Sequence, residues 1–452
     1  MNQETKTRSS FSGKVGFVLA AAGSAVGLGN IWRFPYLAAK YGGGIFLFVY
    51  IILAVTFGFV LMITEIAIGR KTGLSAIEAY GAINKKFKFL GVLTSLVPII
   101  ILPYYSVIGG WVMKYLAVYI AGQGSEAAGA KFFGNFISEP IEPVLWFLFF
   151  IGLTAIVVLF GVQKGIEKVS RILMPVLVVL SVAVAVYSVT LPGAMEGVKY
   201  YLLPDFSKFS VNTVLGAMGQ LFYSLSLAMG IMITYGSYMK RDVDLVQSAR
   251  QIDIFDTGIA FIAGLMIIPA VFAFTGEAPQ KAGPGLMFQA LPQVFANMGF
   301  GTLAGILFFL LVLFAALTSS ISLMETVVSI FQDKLGWERR GTCLIVLLGS
   351  IAIGIPSSLG FGPWSMVQII GMDILDFFDF ISNSVLMPIV ALLTCICIGH
   401  IVGPKFVEDE VSLSGKFREK KMYGVTIRWI APVCIVAILI SSIMSALGII
   451  TI

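Results

Sequence analysis

Long apolar runs separated by short polar stretches dominate the chain. Eleven runs stand out, at 15–37, 44–69, 89–122, 143–161, 169–190, 212–238, 251–275, 299–330, 342–358, 366–402 and 426–450. Each approaches or exceeds the roughly 20 residues that an α-helix needs to cross the hydrocarbon core of a bilayer. The pattern predicts an all-α integral membrane protein of about eleven transmembrane helices. Several runs are longer than a span needs, which predicts tilt or helix continuing beyond the membrane. The first run, from Val15, continues past the length of a secretory signal's apolar stretch and shows no small-residue cleavage pattern, so it reads as a span.

The polar stretches carry the orientation. Most of the 30 lysines and arginines lie in alternate loops, at 6–14, 70–88, 164–171, 240–250, 334–340 and 405–428. Basic residues favour the cytoplasmic side, so residues 1–14 are expected in the cytoplasm and, with an odd number of spans, the C-terminus outside.

Two runs are interrupted. The first contains Gly23, Gly27 and Gly29, followed by Asn30, Arg33 and Pro35. Glycine weakens a helix by about 1 kcal/mol relative to alanine. Non-helical backbone inside a membrane survives only when buried in protein or lining a wet cavity. Tight packing through small residues is the plainer use of such glycines; the added Asn30 and Arg33 favour a site where freed carbonyls meet a cation. The sixth run has the same character, with Gly219, Gln220, Tyr223, Ser224, Ser226 and Gly230. Interruptions in spans one and six are the spacing of two repeats, spans 1–5 (15–190) and spans 6–10 (212–402), with 426–450 as an additional span. Paired interruptions of this kind point to a transporter's binding site. The eighth run adds Thr318, Ser319 and Ser320, whose hydroxyls either bond back to their own helix or complete an oxygen cage for a small hard cation. Glu65, Arg33, Asp256, Glu325 and the trio Asp373, Asp376 and Asp379 also lie in or beside apolar runs, where charge is costly and usually functional.

Composition removes other classes. Of 452 residues, 58% are hydrophobic and 12% charged, against about 25% charged in a soluble domain. The net charge of +6 sits in short loops rather than on one face, which argues against nucleic acid. Cys343, Cys395, Cys397 and Cys434 lie in or beside apolar runs and read as buried thiols. The lone His400, and the absence of nucleophile or phosphate-loop motifs, argue against an enzyme. No Asn-x-Ser/Thr sequon occurs, which leans toward a prokaryotic source. An ion channel could also use oxygen-lined broken helices; saturable, sodium-dependent uptake would mark a carrier instead.

These motifs resemble the neurotransmitter:sodium symporter family over nearly the whole chain. The most specific is Gly23-Ser-Ala-Val-Gly-Leu-Gly-Asn-Ile-Trp-Arg-Phe-Pro35, supported by Tyr41-Gly-Gly-Gly44, Glu65-Ile-Ala-Ile-Gly-Arg70, Tyr104-Tyr105, the stretch Gln220 to Gly230, Thr234-Tyr-Gly-Ser-Tyr238 and Leu317-Thr-Ser-Ser320. The resemblance implies a LeuT-like 5+5 inverted repeat with spans one and six unwound at mid-membrane. Eleven spans is similar to a bacterial branch of the family.

The resemblance also implies two Na+ sites and no organic cofactor. Site 1 would use the Ala25 carbonyl, Asn30, Ser224, Asp256 (with Asp253 the alternative) and the substrate's carboxylate. Site 2 would use carbonyls of Gly23, Val26 and Ala315 with the hydroxyls of Thr318 and Ser319. Gly27 stands where amine-transporting relatives carry aspartate, which implies an α-amino acid that brings its own carboxylate. The substrate would meet Ala25, Gly27, Gly29, Ile101, Tyr105, Ile108, Tyr223, Ser224, Ser226, Met229, Ser320 and Leu323, an apolar set suited to a hydrophobic or aromatic side chain. Asp256 stands where chloride-dependent relatives carry asparagine, which implies transport without chloride; an acid that empties of sodium could also carry a proton back. By the same likeness, Arg33 with Asp376 (Asp379 the alternative) would gate the outer side. Arg8 with Asp333, near Tyr238, would gate the inner side. Phe11 stands where relatives usually carry tryptophan. The implied setting is a bacterial cell membrane, with lipid and a small amino acid as partners, no nucleic acid, and a homodimer open.

Overall fold

The computed structural model describes residues 9–446. Helix accounts for nearly all regular structure. The first run forms two pieces, α1 (Lys14–Ala25) and α2 (Gly29–Lys40), bent by 53° across the break. Then follow α3 (Gly44–Thr72), α4 (Lys85–Ile120), α5 (Glu142–Leu159) and α6 (Val162–Val189). The sixth run is also divided, into α7 (Val211–Ser224) and α8 (Ile231–Ser237). After it come α9 (Leu245–Thr275), α10 (Gly301–Leu335), α11 (Arg339–Leu359) and α12 (Ile374–Val402). A linker helix α13 (Lys405–Ser412) precedes α14 (Lys420–Ser445).

Nine described helices are long and apolar enough to cross a membrane, or ten when α1 and α2 count as one bent span. The difference from eleven sequence segments lies at 212–238: neither α7 nor α8 alone reaches the length of a span. The tenth segment also starts later than its hydropathy indicates. Residues 361–373 form turns, with Ile370 and Gly371 at positive φ, and Asp373 caps α12 by accepting the Asp376 amide at 2.9 Å.

Why α1 sits at the centre follows from its residues. Gly16, Ala20, Ala21, Ala22, Gly23, Ser24 and Ala25 are all buried, and side chains this small let α6, α9 and α10 close around it. Large apolar side chains instead point outward on the peripheral helices, as with Leu145, Phe149, Ile172 and Val179. In water such a surface would be unfavourable; against acyl chains it costs nothing.

Two glycines bring α3 and α8 into backbone contact. A Cβ added at Gly69 would stand 1.8 Å from the Ile233 carbonyl oxygen, and one at Gly236 would stand 2.4 Å from that of Ile66. Backbone cannot swing aside as a side chain can. Gly69→Ala is therefore expected to destabilise the protein by about 1–3 kcal/mol through overpacking, read as a lower midpoint of thermal unfolding in detergent. An unchanged midpoint would contradict this contact.

At the end of α3, Arg70 is fully buried with Glu410 of α13, their Nε–Oε1 distance being 2.7 Å. Its guanidinium also donates to the carbonyls of Val243 (2.8 Å) and Glu410 (2.5 Å) and to the Ser414 hydroxyl (3.1 Å). One planar fork thus fastens the α8–α9 turn and the linker helix to α3.

Candidate functional site

A cavity lies where the two divided helices meet. The break after α1 leaves residues 26–28 at the centre of the protein. The break after α7 spans residues 225–230, where Ser226 and Ala228 adopt φ of 53° and 60°. Such backbone costs about 1–3 kcal/mol per residue and persists only when its surroundings hold it. Here Glu65, from α3, accepts the Ala228 amide at 2.6 Å. The Ser226 hydroxyl donates to the Ser24 carbonyl at 3.0 Å, tying one break to the other.

The cavity is lined by Ala25, Gly27, Gly29, Ile101, Tyr105, Tyr223, Ser224, Ser226, Met229 and Leu323, all of them among the expected substrate residues. Ser24, Leu28, Asn30, Ile231 and Ser319 complete it. Two expected residues lie elsewhere. Ile108 lines the outer depression. Ser320 is wholly buried, and its hydroxyl meets that of Thr154 at 3.0 Å. Part of the lining is polar: the Leu28 amide donates to the Tyr105 hydroxyl at 3.5 Å. A Cβ at Gly27 would stand 2.8 Å from Ser319 Oγ and 3.1 Å from that hydroxyl. Ile101, Met229, Ile231 and Leu323 supply apolar lining.

Beside the cavity, Asn30, Ser224 and Asp256 form one buried cluster. Asp256 Oδ1 accepts from Asn30 Nδ2 (2.7 Å) and from the Ser224 hydroxyl (2.7 Å). Tyr50 donates to its Oδ2 at 3.4 Å. Asn30 Oδ1, as its amide is oriented, accepts the Gly27 amide at 3.0 Å. The fold thus brings Asp256 to Asn30 and Ser224. Asp253 lies one turn earlier on α9, and its Oδ1 has no hydrogen-bond partner among the described residues.

A second group of oxygens converges between α1 and α10. Ser319 Oγ lies 3.4 Å from both the Gly23 and Val26 carbonyl oxygens and 3.1 Å from that of Ser24. Thr318 donates to the Ala315 carbonyl at 3.1 Å, and a Cβ at Gly23 would reach Thr318 Cβ at 3.2 Å. Carbonyls freed by the end of α1 and hydroxyls from a neighbouring helix are the donors a small hard cation takes.

Above the cavity, Arg33, Asp376 and Asp379 line one outer depression with Tyr223. The Arg33 guanidinium lies over the Tyr223 ring, 5.4 Å from its centroid. Among the described residues, no ion pair within 4.0 Å joins Arg33 to either acid. Asp379 instead accepts from Tyr104 (3.2 Å) and Asn383 (2.6 Å).

Aromatic and ionic contacts cluster around Tyr238 at the end of α8. Phe11 is buried, its ring packed edge-on against Tyr235 and Tyr238, and its amide donates to the Tyr238 carbonyl at 3.0 Å. Tyr238 donates to Glu325 Oε1 at 2.8 Å, and Glu325 pairs with Arg339. Asp333 accepts the Ser75 amide at 2.6 Å. Arg8, its expected partner, lies outside the described residues.

Several of these contributors were invisible along the chain. Ser24 stood inside the first motif, so adjacency to the break could have flagged it. Tyr50 and Arg339 carried no local signal: one is an aromatic in an apolar run, the other a loop arginine.

Comparison with known proteins gives this geometry a family. The profile of the sodium:neurotransmitter symporter family matches residues 8–123 and 137–449. An uncharacterised sodium-dependent transporter of Bacillus subtilis, YhdH, is 39% identical over 395 residues, covering 85% of this chain and 86% of the relative. An uncharacterised sodium-dependent transporter of Haemophilus influenzae is 34% identical over 458 residues, covering 98% and 100%. The crystal structure of MhsT in complex with L-phenylalanine superposes with a TM-score of 0.87 at 39% identity, covering 96% of this chain and 100% of that one. The all-helical architecture matches that LeuT-like neighbour, and the relatives are transporters, not enzymes. The chain belongs to the sodium:neurotransmitter symporter family and is a multi-pass, sodium-dependent membrane transporter.

Proposed function

We propose that this protein imports an α-amino acid with a hydrophobic or aromatic side chain, driven by two sodium ions and independent of chloride. The observation that carries the reading is the cavity at the helix breaks, lined by both polar and apolar groups. Its polar part, around Gly27, Leu28 and the Tyr105 hydroxyl, suits a carboxylate beside backbone amides. No acid stands at position 27 to pair with an amine. The apolar lining suits a hydrophobic side chain, with Met229 able to adapt to different shapes. The L-phenylalanine held by MhsT supports the same class.

Sodium would bind at both oxygen clusters. At the first, Asp256 with Ser224, Asn30 and the Ala25 carbonyl would share the ion with the substrate's carboxylate, so substrate and ion bind together. A carboxylate there supplies the negative charge that chloride otherwise brings. At the second, Thr318 and Ser319 would bridge α10 to the end of α1. Arg33 and an outer acid, Asp379 or Asp376, would close over Tyr223 once both are loaded. Phe11, Tyr238, Glu325 and Arg339 would then part to release them inward.

Uptake by proteoliposomes, measured with a panel of labelled amino acids, tests this directly. Bulky apolar amino acids are expected to accumulate with sodium outside, to fail with choline in its place, and to be unaffected when gluconate replaces chloride. Accumulation of amines alone would overturn the substrate class; collapse in gluconate would overturn chloride independence.

A further inference from the structure

The first turn of α4 has a chemistry that transport leaves unused. Lys85, Lys86 and Lys88 are all exposed within four residues. The turn is ordered, because Asn84 Oδ1 accepts the Lys86 amide at 3.0 Å. The stem of Lys88 lies along Gly81, where an added Cβ would come within 3.6 Å of it. Three like charges this close repel one another. Among the described residues, no carboxylate stands within 4.0 Å of any of them. Glu78, on the short helix Ala76–Ile83, is committed to Lys334 at 2.8 Å.

Aromatic and apolar groups sit directly beside these charges. The rings of Phe87 and Phe89 stack with centroids 6.1 Å apart, and Phe89 is 51% exposed. Phe89, Val92 and Leu96, spaced for one face of α4, form an exposed apolar stripe. In a membrane protein that stripe faces acyl chains, so its Lys85 end lies at headgroup level, on the side that the loop charges place in the cytoplasm.

We propose that Lys85, Lys86 and Lys88, with Phe87 and Phe89, form a binding site for the phosphate headgroup of an anionic phospholipid. The phosphate supplies the counter-charge that the three lysines lack, and the two phenylalanines seat the glycerol and upper acyl region. Clustered juxtamembrane lysines each favour an anionic surface by roughly fivefold, so three together favour it on the order of a hundredfold.

The test is photo-crosslinking in vesicles of phosphatidylcholine containing a minority of phosphatidylglycerol, with a diazirine on the acyl chain of one lipid or the other. Peptide mapping then reads labelling of residues 84–96. In the wild type, the phosphatidylglycerol probe is expected to label this segment far more than the phosphatidylcholine probe. The K85Q/K86Q/K88Q variant should lose most of that preference, and K85R/K86R/K88R should keep it. Labelling of other segments reports that each variant is folded. Equal labelling by the two probes in the wild type, or a preference that survives the glutamine triple, would overturn the site.

Discussion

Replacing Asp256 with alanine is expected to lower sodium-driven amino-acid uptake on the order of a hundredfold or more, while leaving the protein folded. Asp256 is fully buried and is the shared acceptor of Asn30, Ser224 and Tyr50. Its removal takes the carboxylate from the first oxygen cluster and leaves the Ser224 and Tyr50 hydroxyls without that acceptor, while Asn30 Nδ2 keeps the Asp256 carbonyl and Ser224 Oγ. Breaking a buried charged network in this way costs about 3–5 kcal/mol, and every 1.4 kcal/mol is tenfold in an equilibrium. Asp256→Asn keeps the shape but not the charge. It should weaken sodium dependence and let chloride restore part of the uptake. Initial rates across sodium concentrations, with and without chloride, measure both effects. Wild-type sodium dependence in Asp256→Ala would remove this residue from the ion's path.

Glu410→Ala should cost about 3–5 kcal/mol of stability, because it strands the Arg70 guanidinium in a buried position. The pair is 0% and 3% exposed, so water cannot replace the lost carboxylate. Arg70→Met combined with Glu410→Leu removes both charges and should cost less than either single change, since a buried pair often contributes little beyond an apolar replacement. Thermal unfolding in detergent of the two single variants and the double variant reads this as a cycle. Additive losses would show that Arg70 and Glu410 act separately.

The site's legibility along the chain was uneven, for physical reasons. Gly23, Gly27 and Gly29 are written as a weak helix, so the break after Ala25 was visible locally. The hydroxyls of Thr318 and Ser319 were visible as polar groups too costly to leave in an apolar run without partners. Ser320 looked identical in sequence, yet it faces Thr154, because successive helical residues point about 100° apart and only packing selects which one meets α1. Ile108 shares its helix with Ile101, two turns further along α4, and lines the outer depression, a difference in level that spacing alone does not reveal. Asp253 and Asp256 could not be separated by hydropathy, and the helix rotation that brings Asp256 to Asn30 separates them.

Hydropathy and loop charge alone specified a many-span helical membrane protein, because a bilayer imposes one length and one backbone solution on every crossing. The glycine and hydroxyl interruptions likewise marked the breaks, since their cost is local. Packing of distant segments alone decided the rest. It joined Tyr50 to Asp256, set Glu325 and Arg339 beneath Tyr238, and clamped α13 to α3 through Arg70. Those contacts link residues far apart in the chain, and their energies depend on burial and orientation that no single stretch of sequence contains.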